Sequence, residues 1–210
     1  MRGPTIGLLG GSFDPPHLGH QALAAEALDR GFVDEVWFVP VGTPVHRTLS
    51  GCADAQTRCA WLKHLASVDE RCRVWDWEVR QNGPVPAIAT LREFARAWTG
   101  YRAAWLMGAD ALEGLCHWIG YPGHRDLCDL VVFDRAGVSS PVLPTDWQWM
   151  DERTWPSRQG YGHGLYCKAE LPKVSATTLR RLAALGESLA GLVPETIRQE
   201  VERHYRRVKA

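Results

Sequence analysis

The sequence has no surplus of either charge: 24 Lys and Arg stand against 24 Asp and Glu in 210 residues, for a formal net charge of +0. Bulk attraction to nucleic acid or to an anionic membrane therefore has no source, and neither is expected as a partner. No apolar run approaches bilayer-spanning length. Met1-Arg2-Gly3-Pro4 leads into the first apolar run without a signal-peptide core, so a cytoplasmic protein is expected. The six cysteines, at 52, 59, 72, 116, 128 and 167, lack any C-x-x-C spacing, which sets the expectation of free thiols in a reducing compartment. Internal repeats, low-complexity tracts and linker-like stretches are also missing. With 45% hydrophobic residues, a single domain over residues 1–210 is expected, its C-terminal part, about 172–210, being helical. Two familiar phosphate motifs are absent as well. Gly7, Gly10 and Gly11 do not make G-x-G-x-x-G, and G-x-x-x-x-G-K-[ST] occurs nowhere.

What the chain does have is Gly10-Gly11-Ser12-Phe13-Asp14-Pro15-Pro16-His17-Leu18-Gly19-His20. The run Thr5 to Leu9 before it suits a buried parallel strand. Gly10 and Gly11 permit a sharp turn and a close backbone approach, and Asp14-Pro15-Pro16 ends the strand. A helix is expected from Leu18 to Arg30, with Leu18, Ala22, Ala25 and Leu28 facing the core. A strand, a glycine turn and a helix N-terminus make an anion site at the carboxyl edge of a sheet. His17 and His20, spaced i to i+3, sit on one face and can donate to a single phosphoryl group. One histidine as a cap with the other satisfied in the core also accounts for the pair, and zinc would need a further ligand.

Apolar strand-like runs then alternate with helical patterns. Strands are expected at Glu35–Pro40, Arg73–Trp77, Ala103–Met107, Leu130–Phe133 and Leu165–Leu171. Helices are expected at Ala53–Leu65, at Ala87–Trp98 with Ile88, Leu91 and Phe94 or Ala95 on one face, at Ser175–Leu185 and at Pro194–Val208. Val41–Cys52 reads as a long loop and Pro141–Gly164 as irregular. The alternation implies an α/β fold: a doubly wound, Rossmann-like parallel sheet with right-handed crossovers. Cys116, His117, His124 and Cys128 lie within thirteen residues and contain zinc-type donors, but adjacent ligands at 116 and 117 would strain a helix.

The Gly10 to His20 string resembles the signature of the nucleotidyltransferases with an H-x-G-H motif, most closely the bacterial nicotinate-nucleotide adenylyltransferases. Further matches follow in order. Gly108-Ala109-Asp110, with Trp118 downstream, is similar to the family's strand-end Gly-Ala-Asp and its tryptophan. Val174 to Arg180 resembles its Ile-Ser-Ser-Thr-x-Ile-Arg signature, with Ala176 replacing a serine, and Pro44-Val45-His46-Arg47 its Pro-Pro-His-Lys loop.

The resemblance implies transfer of the adenylyl group of ATP to nicotinate mononucleotide, giving a dinucleotide and pyrophosphate in NAD biosynthesis. It implies magnesium, held mainly by the ATP phosphates, and no metal ligands from the protein. The attacking phosphate is already anionic near neutrality, its second pKa being about 6, so no general base is needed. Donors must instead hold two polyanions in line and stabilise the growing charge. By resemblance His17, His20 and Arg180 are catalytic. Gly10, Gly11, Ser12, Phe13, Gly108, Asp110, Ser175 and Thr177 bind ATP. Asp14, His46, Arg47, Ala87, Thr90 and Trp118 bind the mononucleotide, Trp118 by stacking on the pyridine ring. Ordinary readings stand beside these: Ser175, Thr177 and Asp110 as helix caps, Arg180 as a solvated charge, Trp118 as core.

One departure bears on the acceptor. Where the family has Ser-Tyr-Thr, this chain has Val85-Pro86-Ala87, which carries no hydroxyl. Backbone N–H groups near Ala87 to Ala89 remain able to bind a carboxylate. Nicotinamide mononucleotide or another phosphomonoester is the alternative acceptor, and a non-catalytic nucleotide-binding protein a further one. The sequence leaves a homo-oligomer open.

Overall fold

The computed structural model describes residues 3–43, 52–135 and 142–207. In chain order they form β1 (Thr5–Gly11), α1 (Leu18–Asp29), β2 (Glu35–Pro40), α2 (Ala55–Ala66), β3 (Cys72–Val74), α3 (Ala87–Ala97), β4 (Arg102–Gly108) and α4 (Ala109–Leu112). There follow β5 (Asp129–Arg135), β6 (Gln148–Met150), β7 (His163–Ala169), α5 (Ala176–Leu185) and α6 (Glu195–Arg207). One sheet contains all seven strands in the order β3-β2-β1-β4-β5-β7-β6. Its β1–β4, β4–β5, β5–β7 and β6–β7 pairs are parallel.

The architecture is the expected Rossmann-like α/β fold. The chain winds outward from β1 through β2 to β3 and then returns to β4, on the other side of β1. The order reverses between β1 and β4, and open α/β sheets bind ligands outside the strand ends at such a reversal. Leu9 pairs in register with Leu106, and Gly11 and Gly108 are the last residues of these adjacent strands at the carboxyl edge.

Two compact units divide the chain. The first comprises Met1–Gly10, Ala25–Trp37 and Pro86–Leu171. Its central strands are apolar in their middles, with Ile6, Leu8, Val131, Val132, Phe133 and Leu165 inaccessible to solvent. That pattern fits a sheet covered on both faces. At the start of β5, the carboxylate of buried Asp129 accepts from Arg158 Nε at 2.8 Å and Arg102 Nη2 at 2.7 Å, and His163 Nδ1 lies at 3.3 Å. The Arg158 guanidinium covers the Trp155 ring at 3.6 Å, and the Trp155 indole donates to the Phe32 carbonyl at 3.0 Å. These paired charges keep the buried carboxylate satisfied and tie down the segment before β7. That segment, expected to be irregular, contains β6 and a 3₁₀ turn at Trp155–Ser157, and β7 begins at His163 rather than Leu165. Its three-residue strand is too short to leave an alternating pattern in the sequence.

The second unit comprises Gly11–Ala24, Phe38–Val85 and Pro172–Ala210. Its core joins Trp61 of α2 to Leu179 and Ala183 of α5 and to Ile197, Val201 and Tyr205, which recur every four residues along α6. Asp54 caps α2 by accepting from Thr57 N–H at 2.9 Å. Gly186 ends α5 in the left-handed conformation, φ 80°, where a side chain would be strained.

Along α1 the buried positions are Leu23, Ala24, Ala27 and Leu28, whereas Ala22 and Ala25 are only half-buried. The expected stripe is displaced because apolar residues run almost round this helix, and no single face stands out in its sequence. In α3 the face is Ile88, Leu91 and Phe94, with Ala95 exposed. All six cysteines are free thiols. No helix of the described residues is long and apolar enough to cross a membrane.

Candidate functional site

The second unit holds the residues expected to face phosphate around Gly11 to His20 and Ser175 to Arg180. After β1 the chain enters a turn in which Phe13 takes φ 48°, a left-handed conformation costly for a bulky residue. The Phe13 ring is buried and meets Phe38 edge-on at 5.8 Å and His20 at 4.8 Å. A Cβ on Gly11 would come within 3.3 Å of that ring, so the turn is closed tightly over its own aromatic plug.

His17 is the N-cap of α1: its carbonyl accepts from His20 N–H at 2.9 Å and Gln21 N–H at 3.3 Å. His20, at the third helical position, reaches back and accepts the His17 main-chain N–H at Nδ1, 3.2 Å away. This is the reciprocal half of a capping box, made by an imidazole. An accepting Nδ1 leaves the ring proton of a neutral His20 on Nε2, which is then a donor. The two rings stack at 3.6 Å with 17° between their planes. A Cβ on Gly19 would lie 3.1 Å from the His17 ring, so glycine admits the stack. The cap reading is met by these bonds, and a neutral His20 keeps its ring proton at Nε2.

Arg180 on α5 donates from Nη1 to the Asp14 carbonyl at 2.6 Å and lies 3.4 Å from the Asp14 carboxylate. Its Nη2 is 3.4 Å from Thr177 Oγ1. Ser175 caps α5, accepting from Thr178 N–H at 3.2 Å and donating to Thr178 Oγ1 at 2.9 Å. Asp14, expected on the mononucleotide, is inaccessible to solvent. Its Oδ1 accepts from Ala53 N–H at 3.0 Å and the Tyr205 hydroxyl at 2.5 Å.

Arg58 and Tyr205 were not singled out in the sequence. Arg58 is 1% exposed and spends its guanidinium on main-chain carbonyls: Ala53 at 3.1 Å, Ser12 at 2.6 Å, Val41 at 2.7 Å and Gly42 at 3.3 Å. Burial lowers its pKa, and the nearby Asp14 charge opposes that shift. It clamps the turn after β1 to the segment after β2. In sequence it looks like any helix arginine, because carbonyl acceptors leave no pattern in side chains.

The first unit holds the remaining expected residues. Gly10 is packed hard, with a Cβ there falling 2.6 Å from the Trp105 ring, so its lack of a side chain serves strand packing. Asp110, exposed in the first turn of α4, folds its carboxylate over Gly108, where a Cβ would lie 2.5 Å from Oδ1. Half-buried Trp118 meets Trp105 at 5.9 Å and His124 at 5.7 Å, both edge-on. Ala87 opens α3, whose N-cap Pro86 offers no side-chain bond, so the helix start presents main-chain donors alone. Thr90 lies wholly within the buried face of α3. His46 and Arg47 fall outside the described residues.

The four zinc-type donors do not converge. Cys116 Sγ is 3.3 Å from His117 Nδ1 on an exposed turn, whereas His124 and Cys128 are buried. Among the described residues no three His, Cys, Asp or Glu side chains are grouped to hold a metal. Burial lowers the His124 pKa, with Arg92 adding to the shift, and both its ring nitrogens lack a partner.

Residues 8–182 match the cytidylyltransferase-like family. A Geobacter metallireducens protein named "Probable nicotinate-nucleotide adenylyltransferase" is 30% identical over 201 residues, covering 91% of this chain and 92% of its own. A Shouchella clausii protein of the same name is 40% identical over 139 residues, 66% of this chain and 72% of its own. Among solved structures, Plasmodium falciparum nicotinic acid mononucleotide adenylyltransferase complexed with NaAD shares the fold, with a TM-score of 0.75 at 12% identity over 97% of this chain and 98% of that one.

Proposed function

The chain belongs to the cytidylyltransferase-like family and, within it, to the nicotinate-nucleotide adenylyltransferases, and from that premise we propose that it transfers the adenylyl group of ATP to nicotinate mononucleotide, releasing pyrophosphate. The observation that carries this reading is the stacked His17–His20 pair on the phosphate turn, in one unit with Arg180 bound to Asp14. These are donors suited to phosphoryl oxygens, and the Asp14 carboxylate behind Arg180 is buried and already accepts from Tyr205 and Ala53.

The mononucleotide phosphate attacks the α-phosphorus of ATP in line. It arrives as an anion, so the protein removes no proton from it. Its task is to hold both polyanions and stabilise charge on the α-phosphoryl oxygens and the leaving pyrophosphate. His20 Nε2–H, His17, the main-chain N–H groups of Ser12 and Phe13, and Arg180 supply the donors. Ser175 and Thr177, at the start of α5, flank Arg180 on the triphosphate. Asp110 accepts from the ribose of ATP, with Gly108 giving close backbone approach. On the acceptor, Trp118 stacks on the pyridine ring, and the uncapped N–H groups at Ala87 take its carboxylate. Imidazole and N–H donors suit anions, so magnesium would be held by the triphosphate and water rather than by these groups, and would supply charge neutralisation. We place the reaction in the cytoplasm, where the free thiols stay reduced.

A second reading, transfer to nicotinamide mononucleotide or another phosphomonoester, draws on Pro86, which leaves α3 without a side-chain donor to a pyridine carboxylate. Incubation with ATP, magnesium and each mononucleotide in turn separates the two by pyrophosphate release. Fastest release is expected with nicotinate mononucleotide. Faster release with another acceptor supports the second reading, and ATP binding without release from any acceptor removes the enzyme reading.

A further inference from the structure

We propose that Asp14 and Tyr205 act as a buried brace that positions Arg180 for the phosphoryl group, without either touching substrate. The proposal rests on the reading above, in which Arg180 is a phosphate donor.

Three separate stretches of the second unit converge on one carboxylate. Asp14 comes from the phosphate turn, Arg180 from α5 and Tyr205 from the last turns of α6. The Asp14 side chain is 1% exposed and that of Arg180 28%, so the acid lies beneath and the guanidinium reaches the surface. Oδ1 is filled by the Tyr205 hydroxyl at 2.5 Å and Ala53 N–H at 3.0 Å, and Oδ2 faces Arg180 Nη1 at 3.4 Å. The same Nη1 donates to the Asp14 carbonyl at 2.6 Å and Nη2 reaches Thr177 Oγ1 at 3.4 Å, so the Nη1–Nη2 edge of the guanidinium is held. Its Nε–H takes part in none of these bonds. A planar guanidinium held along one edge has its other edge aimed, which is what a bidentate phosphate contact needs.

A carboxylate this deep cannot be left short of donors, because an uncompensated buried charge is costly. Tyr205 supplies the donor that no ligand has to supply. Burial above all, and then its bond to Asp14, hold the Tyr205 hydroxyl far above its ordinary pKa, so it stays a donor throughout the working pH range. Its ring is packed 6.1 Å from that of Trp61 and does not move freely. If the hydroxyl is removed, Asp14 Oδ1 keeps Ala53 N–H among the described residues and loses its shorter bond. The carboxylate can then turn toward Arg180 and draw the guanidinium off its aimed position. Asp14 is therefore assigned to positioning, in place of the direct mononucleotide contact that resemblance implies.

The test is a double-substitution cycle with two readouts. Tyr205→Phe keeps the ring and deletes the hydroxyl. Its expected effect is a loss of about tenfold in kcat, the scale of a small misplacement of a catalytic group. Inorganic tripolyphosphate, titrated by calorimetry, reports on the phosphate side without turnover and should bind several-fold more weakly. In an Arg180→Lys background the same substitution should change each readout by less than about twofold, because residues acting through one another are not additive. Equal losses in both backgrounds overturn the proposal. So does a lowered melting temperature with kcat and tripolyphosphate affinity unchanged, which would leave Tyr205 a merely structural role. Should Tyr205→Phe fail to fold, Asp14→Asn, which keeps acceptors for Tyr205 and Ala53 but drops the charge beside Arg180, takes its place in the cycle. If the unsubstituted protein releases no pyrophosphate, the adenylyltransferase reading fails, and the tripolyphosphate cycle still decides the brace.

Discussion

His20 accepts the main-chain N–H of His17 at Nδ1, 3.2 Å away, while the two imidazoles stack at 3.6 Å. The bond that starts the helix thereby selects which nitrogen of His20 carries its proton. On the proposed function, one side chain serves as local cap and as phosphate donor. Replacing either histidine by alanine should lower kcat by about 10²- to 10³-fold, the usual loss for one transition-state donor. ATP affinity, measured by calorimetry, should change far less. A variant with full turnover removes that histidine from the reaction.

Gly19→Ala separates activity from stability. Alanine gains about 1 kcal/mol of helix propensity over glycine, which offsets the strain of placing a methyl group against the His17 ring. That methyl would lie 3.1 Å from the ring, so the stack must shift. Urea unfolding should show a change within about 1 kcal/mol while kcat falls by about tenfold or more, as a displaced catalytic group implies. Loss of both together would show that the contact is relieved by unfolding the helix start.

Much of this site was legible in the sequence. The Gly10 to His20 string, Gly108-Ala109-Asp110 and Ser175 to Arg180 occur at strand ends and helix starts, where backbone geometry demands small or capping residues. β2 was bounded correctly because its apolar run is flanked by Asp34 and Pro40-Val41-Gly42. Asp14, Arg58 and Tyr205 were harder to read. Asp14 carried a motif but not its buried partners, which lie as far away as α6. Arg58 bonds only to carbonyls, and those are the same for every residue type. Thr90, placed on the mononucleotide by resemblance, lies on the buried side of α3, a burial that its hydroxyl does not announce in the sequence.

Arg58 should be a stability residue. Arg58→Met removes the guanidinium donor from the buried Ala53 carbonyl and the half-buried Ser12 and Val41 carbonyls, at about 1–3 kcal/mol for each group left unsatisfied. Urea unfolding should register a loss of about 3 kcal/mol or more in total. Arg58→Lys should recover little, since one ammonium cannot span carbonyls that the guanidinium reaches with three nitrogens. Wild-type stability in either variant would contradict the clamp.

His124 makes a prediction about pH. Its folded pKa lies below the ordinary 6.5 because burial penalises the charged ring, so the unfolded chain binds a proton more readily. Stability from this group is fully present above pH 6.5 and is lost as the pH falls through that value toward the lower folded one. Melting temperatures recorded between about pH 8 and 5 should fall less steeply for His124→Leu than for the unsubstituted protein. Parallel curves would mean that His124 does not control the acid limb.

The central claim is one direct displacement at the α-phosphorus of ATP by the mononucleotide phosphate, with His17 and His20 as donors rather than nucleophiles. Its most direct test is the reaction of nicotinate mononucleotide with ATP made chiral by sulfur at the α-phosphorus. The account predicts a dinucleotide of inverted configuration and one pyrophosphate per dinucleotide. Retention of configuration would mean two displacements through an adenylylated side chain, and would contradict it.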